Sequence, residues 1–422
     1  MPAGTPAAVA PLFHDAPPHW RWTRLKRTVT GCQNGLWGDE PQGGSDDRIC
    51  VRVADLDRVR LRVTLDNATW RSIPAAECRG RLLQAGDLLL EKSGGGELQP
   101  VGVVALYDHP APAVCSNFLA RMPVASGFDA AYLCYLHSAL YRYGITARSI
   151  KQSTGIQNLD SDSYLAEMVK VPPLAEQQEI ARWLDRQTET LAALVTKHGS
   201  LMTLLLEKRL AIVSRAVIPE DGSVVRLKFI RAGALLYGAN QAGVAENATW
   251  PRYIRITDIG AGGRLRDDTV QSLAPELAAP YLLEDGDILL ARSGATVGKA
   301  VRYRAEWGRA CFAGYLLRLR PDRRKVLPEY LIYYTQSHAF RQEVARQTIQ
   351  ATIANVSAER FSNFAITLPT LAAQHAVVEF LDRQTTLLDE LIGKVQRQIE
   401  KLLEYRDALV AGAVTSGAGS RS

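Results

Sequence analysis

Leu184-Asp-Arg-Gln-Thr188 occurs a second time in this 422-residue chain, as Leu381-Asp-Arg-Gln-Thr385, shifted by 197 positions. The match extends upstream at the same shift, where Val171–Gln177 aligns with Leu368–Gln374. Farther upstream, the shift drifts to about 200, because Gly86-Asp-Leu-Leu-Leu90 aligns with Gly286-Asp-Ile-Leu-Leu290. A repeat of this length is too long for a solenoid unit. The sequence therefore predicts a tandem domain duplication with small insertions in the loops.

The segments around the two pentapeptides carry apolar residues every seven positions, which is typical of a coiled-coil interface. These positions are Leu184, Leu191, Leu205 and Ile212 in the first copy and Leu381, Leu388, Val395, Leu402 and Leu409 in the second. His198 occupies the remaining position of the first copy, and we interpret it as a polar interruption rather than a catalytic group. Two helices in matched register most simply pair with each other in antiparallel orientation.

The composition is that of a soluble globular protein, with 47% hydrophobic and 22% charged residues. No apolar run has the length of a membrane span. The Ala/Pro-rich residues 1–19 lack the features of a secretory signal and are predicted to be a disordered tail. The six cysteines are scattered without a CxxC pair, which favours free thiols in the reducing cytoplasm over a zinc site or disulfides.

The net charge of +6 is concentrated in the regions outside the heptad segments. Residues 20–170 carry +2 and residues 222–370 carry +7. This distribution indicates a polyanionic partner for these regions, although scatter explains the first region equally well.

A glycine-containing loop, Ser293-Gly-Ala-Thr-Val-Gly-Lys299, is similar to a phosphate-binding loop but departs from the Walker A motif. Three residues rather than four separate its glycines, and Ala300 replaces the required Ser or Thr. The first copy, Ser93–Glu97, has no lysine. ATP binding is therefore disfavoured. The loop amides, the hydroxyl and Lys299 can still contact a nucleic-acid phosphate.

We find no motif for base methylation, metal-dependent strand cleavage, zinc peptidase or serine hydrolase chemistry. The sequence therefore predicts a non-catalytic protein without a metal or a cofactor of its own.

Together, these features resemble the specificity subunit of type I restriction-modification systems. The resemblance rests on the paired Pro-x-Leu-Ala-x-Gln…Leu-Asp-Arg-Gln-Thr helices, on the Gly-Asp-Ile-Leu-Leu-x-x-Ser-Gly-x-x-x-Gly-Lys segment, and on the order domain, helix, domain, helix. It covers residues 20–415. The first glycine loop departs from the pattern, because it lacks the terminal Gly-Lys.

The resemblance implies an α+β fold with pseudo-two-fold symmetry, in which two mixed α/β target-recognition domains are separated and followed by two long helices that form an antiparallel coiled coil. The expected segments are a tail (1–19), a first domain (20–170), a spacer helix (171–220), a second domain (221–367), a second spacer helix (368–415) and a tail (416–422).

The resemblance also implies partners. Each domain would recognise one half of a split, asymmetric site in double-stranded DNA, and the helices would fix the gap between the halves. The helices would also dock two methylation subunits, which bind S-adenosylmethionine, and through them restriction subunits.

Within the domains, we expect Lys92, Ser93, Arg292, Ser293, Thr296 and Lys299 to approach DNA. Arginine recognises guanine edges, whereas lysine more often binds phosphate. The alternative for each is a solvated loop residue. Four amides are expected where each domain meets its helix, with capping and base contact both open: Gln152, Asn158, Gln350 and Asn355.

Two other function classes stay open: a coiled-coil scaffold that does not recognise DNA, and an enzyme with an unfamiliar site. The concentration of basic charge in the domains favours DNA recognition over the scaffold.

Overall fold

The computed structural model describes residues 9–96, 99–153, 155–218, 221–260, 265–348 and 355–417. These residues form two compact units. Unit 1 comprises residues 1–199 and 396–422, and unit 2 comprises residues 200–395. Each unit therefore holds one mixed domain together with part of each long helix.

Unit 1 contains fourteen strands and the first three α-helices among its described residues. The strands are β1 (Arg21–Arg24), β2 (Gln33–Asn34), β3 (Asp47–Val51), β4 (Leu56–Asp57), β5 (Arg62–Val63), β6 (Trp70–Ser72), β7 (Asp87–Glu91), β8 (Ser93–Gly94), β9 (Val104–Tyr107), β10 (Ala113–Cys115), β11 (Leu119–Met122), β12 (Ile150–Ser153), β13 (Ile156–Leu159) and β14 (Met168–Val171). The helices are α1 (Ala130–Arg142), α2 (Ser161–Leu165) and α3 (Leu174–Ala216), of which α3 ends in unit 2.

The main sheet of unit 1 has six strands in the order β2-β11-β7-β9-β5-β4. Strand β7 is buried on both faces, because Leu88 and Leu90 pack in the cluster that includes α1 while Leu89 packs in a second cluster. Strand β1 pairs antiparallel with β14, so the chain enters and leaves the domain side by side.

Unit 2 contains ten strands and four further α-helices among its described residues, together with the start of α8. The strands are β15 (Ser223–Arg226), β16 (Leu236–Tyr237), β17 (Val244–Ala245), β18 (Arg252–Ile254), β19 (Gln271–Ser272), β20 (Ile288–Ala291), β21 (Ala300–Arg302), β22 (Ala310–Phe312), β23 (Leu316–Leu319) and β24 (Ala365–Leu368). The helices are α4 (Pro275–Ala278), α5 (Pro328–Gln336), α6 (His338–Thr348), α7 (Ala358–Ser362) and α8 (Leu371–Ser416).

Unit 2 repeats the plan of unit 1. Strand β20 takes the place of β7 in the sheet β16-β23-β20-β21, and β15 pairs with β24 as β1 pairs with β14. Residues 328–348 form two helices, α5 and α6, rather than one. The break lies at Ser337, which is extended (φ −68°, ψ 158°) and whose hydroxyl accepts a hydrogen bond from the Phe340 amide at 3.3 Å.

The two long helices pack together within each unit. In unit 1, Leu184 of α3 shares a core cluster with Val410 and Val414 of α8, and His198 contacts Gln398 with 3.1 Å between Nε2 and Oε1. Residue numbers thus rise along α3 while they fall along the contacting part of α8, which makes the two segments antiparallel. His198 is a polar contact between helices, as the sequence predicts.

Unit 2 contains the corresponding antiparallel contact. Val213 of α3 shares a core cluster with Leu381 of α8, and Arg209 Nε donates to Asp389 Oδ1 at 2.8 Å. Of the nine heptad positions, Leu184, Leu191, Leu381, Leu388 and Val395 are buried, and Leu205, Ile212, Leu402 and Leu409 are half-buried.

The N-terminal segment departs from the expected disordered tail. Residues 1–8 lie outside the described residues, but Val9, Phe13 and Ala16 are buried in the core of unit 1 together with Trp20. Their spacing of three and four residues places them on one side of a turn that includes a 3₁₀ helix at Ala10–Phe13. The expectation is wrong for residues 9–19, because this apolar spacing is hidden within an Ala/Pro-rich composition.

Candidate nucleic-acid interface

The repeated sequence motifs attach each domain to its long helix. In unit 1, the Tyr135 hydroxyl lies 2.8 Å from Asp185 Oδ1 and 2.9 Å from Thr188 Oγ1. In unit 2, Tyr333 makes the same contacts with Asp382 and Thr385 at 2.6 and 3.1 Å. The Asp and Thr of Leu-Asp-Arg-Gln-Thr therefore hold each domain in place on its long helix.

The glutamine of Pro-x-Leu-Ala-x-Gln has a similar role. Buried Gln177 donates to the Pro172 carbonyl at 2.9 Å and accepts from the Asp129 amide at 3.0 Å. Gln374 donates to the Pro369 carbonyl and accepts from the Leu327 amide, both at 2.9 Å. Each glutamine thus connects the start of a long helix to the start of a domain helix.

The first of the expected DNA-contact residues, Lys92 and Ser93, lie directly after β7. The Lys92 ammonium donates to Asn34 Oδ1 at 2.8 Å, and the Ser93 hydroxyl donates to Asn158 Oδ1 at 2.5 Å. The Phe118 carbonyl accepts hydrogen bonds from the amides of Lys92 and Ser93 at 2.8 and 3.2 Å, while the Phe118 side chain is 44% exposed. We call these five residues contact cluster 1.

Unit 2 has an equivalent group of residues around the end of β20, which we call contact cluster 2. Its members are Tyr237, Arg292, Ser293, Tyr315 and Asn355. The Arg292 guanidinium lies 4.9 Å from the centre of the Tyr237 ring, and Ser293 is bridged to Asn355 by backbone pairing. The Tyr315 carbonyl accepts from the Arg292 amide at 3.1 Å, and the Tyr315 side chain is 64% exposed. A lysine–asparagine contact in one unit is therefore an arginine–tyrosine contact in the other, whereas Ser and Asn are unchanged.

In each cluster, a glycine fixes the position of the residue before it: Asn34 in contact cluster 1 and Tyr237 in contact cluster 2. A Cβ at Gly35 would lie 1.9 Å from the Cys115 carbonyl oxygen, and a Cβ at Gly238 would lie 2.3 Å from the Ala313 carbonyl oxygen. Only glycine permits this approach, which holds the preceding residues Asn34 and Tyr237 beside the main sheet.

Thr296 and Lys299 are not part of contact cluster 2. They line a separate cavity of unit 2, where the Lys299 ammonium donates to the Ile259 carbonyl at 2.6 Å. Some of the loop amides that were expected to contact phosphate already donate hydrogen bonds to backbone carbonyls. The amides of Val297, Gly298 and Lys299 donate to the carbonyls of Gly294, Ala291 and Thr296, respectively. That part of the phosphate-loop expectation is wrong: the loop forms its own turns instead of a ring of free amides.

The four amides that were expected near the domain–helix junctions lie in different places. Asn158 and Asn355 belong to the contact clusters, and Gln152 is exposed on β12. Gln350 lies outside the described residues.

Sequence patterns alone missed Asn34, Tyr237, Phe118 and Tyr315. A signal existed in the repeat, since Phe118-Leu-Ala-Arg121 aligns with Tyr315-Leu-Leu-Arg318, and Asn34-Gly35 aligns with Tyr237-Gly238.

Within the described residues, no helix is long and apolar enough to cross a membrane. Among the same residues, no group of three or more His, Cys, Asp or Glu side chains is arranged to hold a metal ion.

Comparison with known proteins supports the resemblance. A family model described as "Type I restriction modification DNA specificity domain" matches residues 244–401. The type I restriction enzyme MjaVIII specificity subunit of Methanocaldococcus jannaschii is 26% identical over 288 residues, which cover 60% of this chain and 63% of that protein. The type I restriction enzyme StySPI specificity subunit of Salmonella potsdam is 27% identical over 132 residues, which cover 31% of this chain and 28% of that protein.

The chain thus spans less than two thirds of the length of these curated relatives. A solved chain from a study of the assembly and conformational transition of the type I R-M system has a TM-score of 0.65 and 17% identity, with 94% of this chain and 98% of that chain covered. This likeness extends the similarity in fold over nearly the whole chain. Together with the sequence matches, it supports the resemblance that the repeat indicates: the chain is similar in sequence and in fold to specificity subunits of type I restriction-modification systems.

Proposed function

We propose that this chain is the non-catalytic DNA-recognition subunit of a type I restriction-modification complex, in which two domains recognise the two halves of an asymmetric, bipartite site. The observation that carries the proposal is the pair of contact clusters. Each lies at the same place in its domain and keeps the same Ser and Asn, but Lys92 with Asn34 in one is Arg292 with Tyr237 in the other.

The side-chain chemistry supports recognition of two different half-sites. Arginine donates two parallel hydrogen bonds to guanine, lysine is a compact point charge, and asparagine pairs with adenine. Exposed aromatic rings such as Tyr237, Tyr315 and Phe118 provide flat apolar surface for contact with thymine methyl groups and sugars. Two equivalent surfaces with different donors suit two different sequences.

The larger positive charge of residues 222–370 supports binding to the phosphate backbone. Electrostatic contacts of this kind position a protein on the duplex without selecting a sequence. We therefore assign general affinity to the basic residues and selectivity to the contact clusters.

The long helices have apolar surface left over after they pair, which supports a docking role. Within unit 2, Leu201 and Leu204 of α3 and Phe380, Leu387 and Leu391 of α8 are exposed. Exposed apolar side chains grouped on one element are typical of protein–protein contacts. We expect methylation subunits, which bind S-adenosylmethionine, to cover them and to connect the chain to restriction subunits, while the paired helices form a coiled coil that sets the gap between half-sites.

DNA binding over a salt series tests the proposal, with the chain in complex with its methylation partner. We expect the binding constant to fall steeply as salt rises and to depend on sequence at both half-sites. Salt-independent or undetectable binding would favour the scaffold alternative. The purified chain alone, incubated with DNA and S-adenosylmethionine, is expected to transfer no methyl group, and transfer by the chain alone would show that it is an enzyme.

A further inference from the structure

Unit 2 contains a cavity of about 480 Å³ beside the glycine loop. Three basic side chains line it: Arg209 from α3, Lys299 from the loop and Arg341 from α6. Thr296 adds a hydroxyl, and no carboxylate is among the described lining residues. We call it the basic cavity. Its volume lies in the range of small-molecule sites, roughly 300–1,000 Å³.

The charges in the basic cavity are only partly compensated. Arg209 is paired with Asp389 at 2.8 Å and donates to Gln336 at 2.9 Å. Lys299 donates to a backbone carbonyl, which uses one of its three donors and leaves its charge in place. Lys299 and Arg341 are both exposed, so their charges are available to a ligand.

A glycine in the Ser293–Lys299 loop allows the loop to approach α6 closely. Gly298 has φ +83°, and a Cβ there would lie 2.9 Å from Val344 Cγ2. This close approach brings Lys299 to the same cavity as Arg341, three residues before Val344. The two cations are thus placed together by the backbone rather than by flexible side chains alone.

A cavity in unit 1 provides a contrast, because it contains its own counter-charges. It has about 430 Å³ and is lined by Arg60, Arg62 and Arg186 together with Asp185 and Glu189. Arg62 lies 2.9 Å from Asp185, and Arg60 lies 3.4 Å from Glu189. Unit 2 differs also at the strand position beside Lys299: Ala291 ends β20 where Glu91, bound by Arg58 at 2.8 and 2.9 Å, ends β7. Position 291 of unit 2 therefore carries no carboxylate, whereas the equivalent position 91 of unit 1 does.

We propose that the basic cavity binds a phosphate group, which Lys299, Arg341 and Thr296 hold. Phosphate offers several acceptor oxygens, and an arginine fork, a lysine ammonium and a hydroxyl together complement them. Binding is through side chains, since the amides of Val297, Gly298 and Lys299 are used within the loop. The phosphate belongs either to a small ligand or to the DNA backbone.

Calorimetric titration of the full chain with inorganic pyrophosphate tests the proposal, next to titration with a short duplex. Arg341→Gln removes one cation from the basic cavity. Arg346→Gln is the matched control, because Arg346 is exposed on the same helix outside the cavity and pairs with Glu343 at 2.8 Å. A second variant, Ala300→Leu, narrows the cavity without a change in charge. Thermal unfolding establishes that each variant is folded.

If the ligand is a small phosphate, pyrophosphate binds the unaltered chain and Arg346→Gln equally, and Arg341→Gln weakens it about tenfold, as expected for loss of a charged hydrogen bond. This arm involves no DNA, so it stands even if the proposed function fails. If the phosphate belongs to DNA, pyrophosphate does not bind, but Arg341→Gln lowers the duplex affinity and its salt dependence relative to Arg346→Gln. Identical behaviour of the two variants towards both ligands overturns the proposal, whether or not Ala300→Leu folds.

Discussion

The phenol of Tyr333 donates a hydrogen bond to Asp382 across 2.6 Å, and this contact joins the domain of unit 2 to its long helix. Burial is the main cause that raises the pKa of Tyr333 to about 12, and the hydrogen bond to Asp382 is the second. The hydroxyl therefore remains a donor at physiological pH. Tyr333→Phe removes the donor and leaves Asp382 and Thr385 without this partner. We expect a loss of about 1–2 kcal/mol in the free energy of unfolding.

Chemical denaturation measures this loss. Tyr315→Phe is the control, because the Tyr315 side chain is 64% exposed. Equal destabilisation by both variants would contradict the positioning role of Tyr333.

Arg406 connects α8 to the domain of unit 1. Its side chain is 9% exposed and donates to the carbonyls of Arg58 and Val59 at 2.9 and 2.7 Å. Arg406→Ala leaves both carbonyls without this donor, and we expect a loss of about 2–3 kcal/mol in unfolding free energy. Arg397→Ala, which changes an exposed arginine of the same helix, is expected to have little effect. A small loss with Arg406→Ala would show that the contact is dispensable.

The His137 ring makes the stability of unit 1 depend on pH. It is fully buried, its Nδ1 lies 2.7 Å from the Tyr164 hydroxyl, and burial lowers its pKa from 6.5 to about 4. Between these values the unfolded chain binds a proton that the folded chain does not. Folding stability is therefore lost as the pH falls from about 6.5 towards 4, by up to about 1.4 kcal/mol per pH unit.

Denaturation curves across this pH range for the unaltered chain and for His137→Gln test this dependence. The variant is expected to be less stable at neutral pH and to show a shallower pH dependence. An unchanged slope would assign the pH dependence to other groups.

The sequence predicted the architecture where periodicity is strong. Leu184, Leu381 and the other heptad residues are buried or half-buried, because a seven-residue pattern held over a long helix leaves few alternatives. The break at Ser337 was not predicted, since serine is tolerated inside helices and only the extended backbone there separates α5 from α6. The packing of Val9 and Phe13 was hidden by the surrounding alanines and prolines.

The candidate interface was predicted only in part. Lys92, Ser93, Arg292 and Ser293 follow a buried strand with a clear pattern, so their place beyond the end of that strand could be inferred. Asn34 and Tyr237 lie on two-residue strands without periodicity, and their contacts form across 58 and 55 positions of sequence. Partners at such distances depend on sheet register, which local patterns do not specify.

Lys299 and Arg292 are expected to affect DNA binding differently. Lys299→Ala removes a charge without base-specific geometry, so it should weaken binding by a similar factor for all sequences and reduce the salt slope by about 1. Arg292→Lys keeps the charge but removes the planar fork, so it should mainly reduce discrimination between sequences. Binding measured for cognate and non-cognate duplexes over a salt series separates the two effects. A sequence-selective loss with Lys299→Ala would contradict its assignment to phosphate.

The two contact clusters make the most direct test possible. Tyr237→Asn combined with Arg292→Lys gives unit 2 the side chains that unit 1 has at these places, and methylated adenines are then located by sequencing DNA from cells that carry the system. We predict that one half of the bipartite site changes or relaxes, while the other half and the gap between them stay the same. A change in both halves, or an unchanged site with full methylation, would contradict separate recognition by the two clusters.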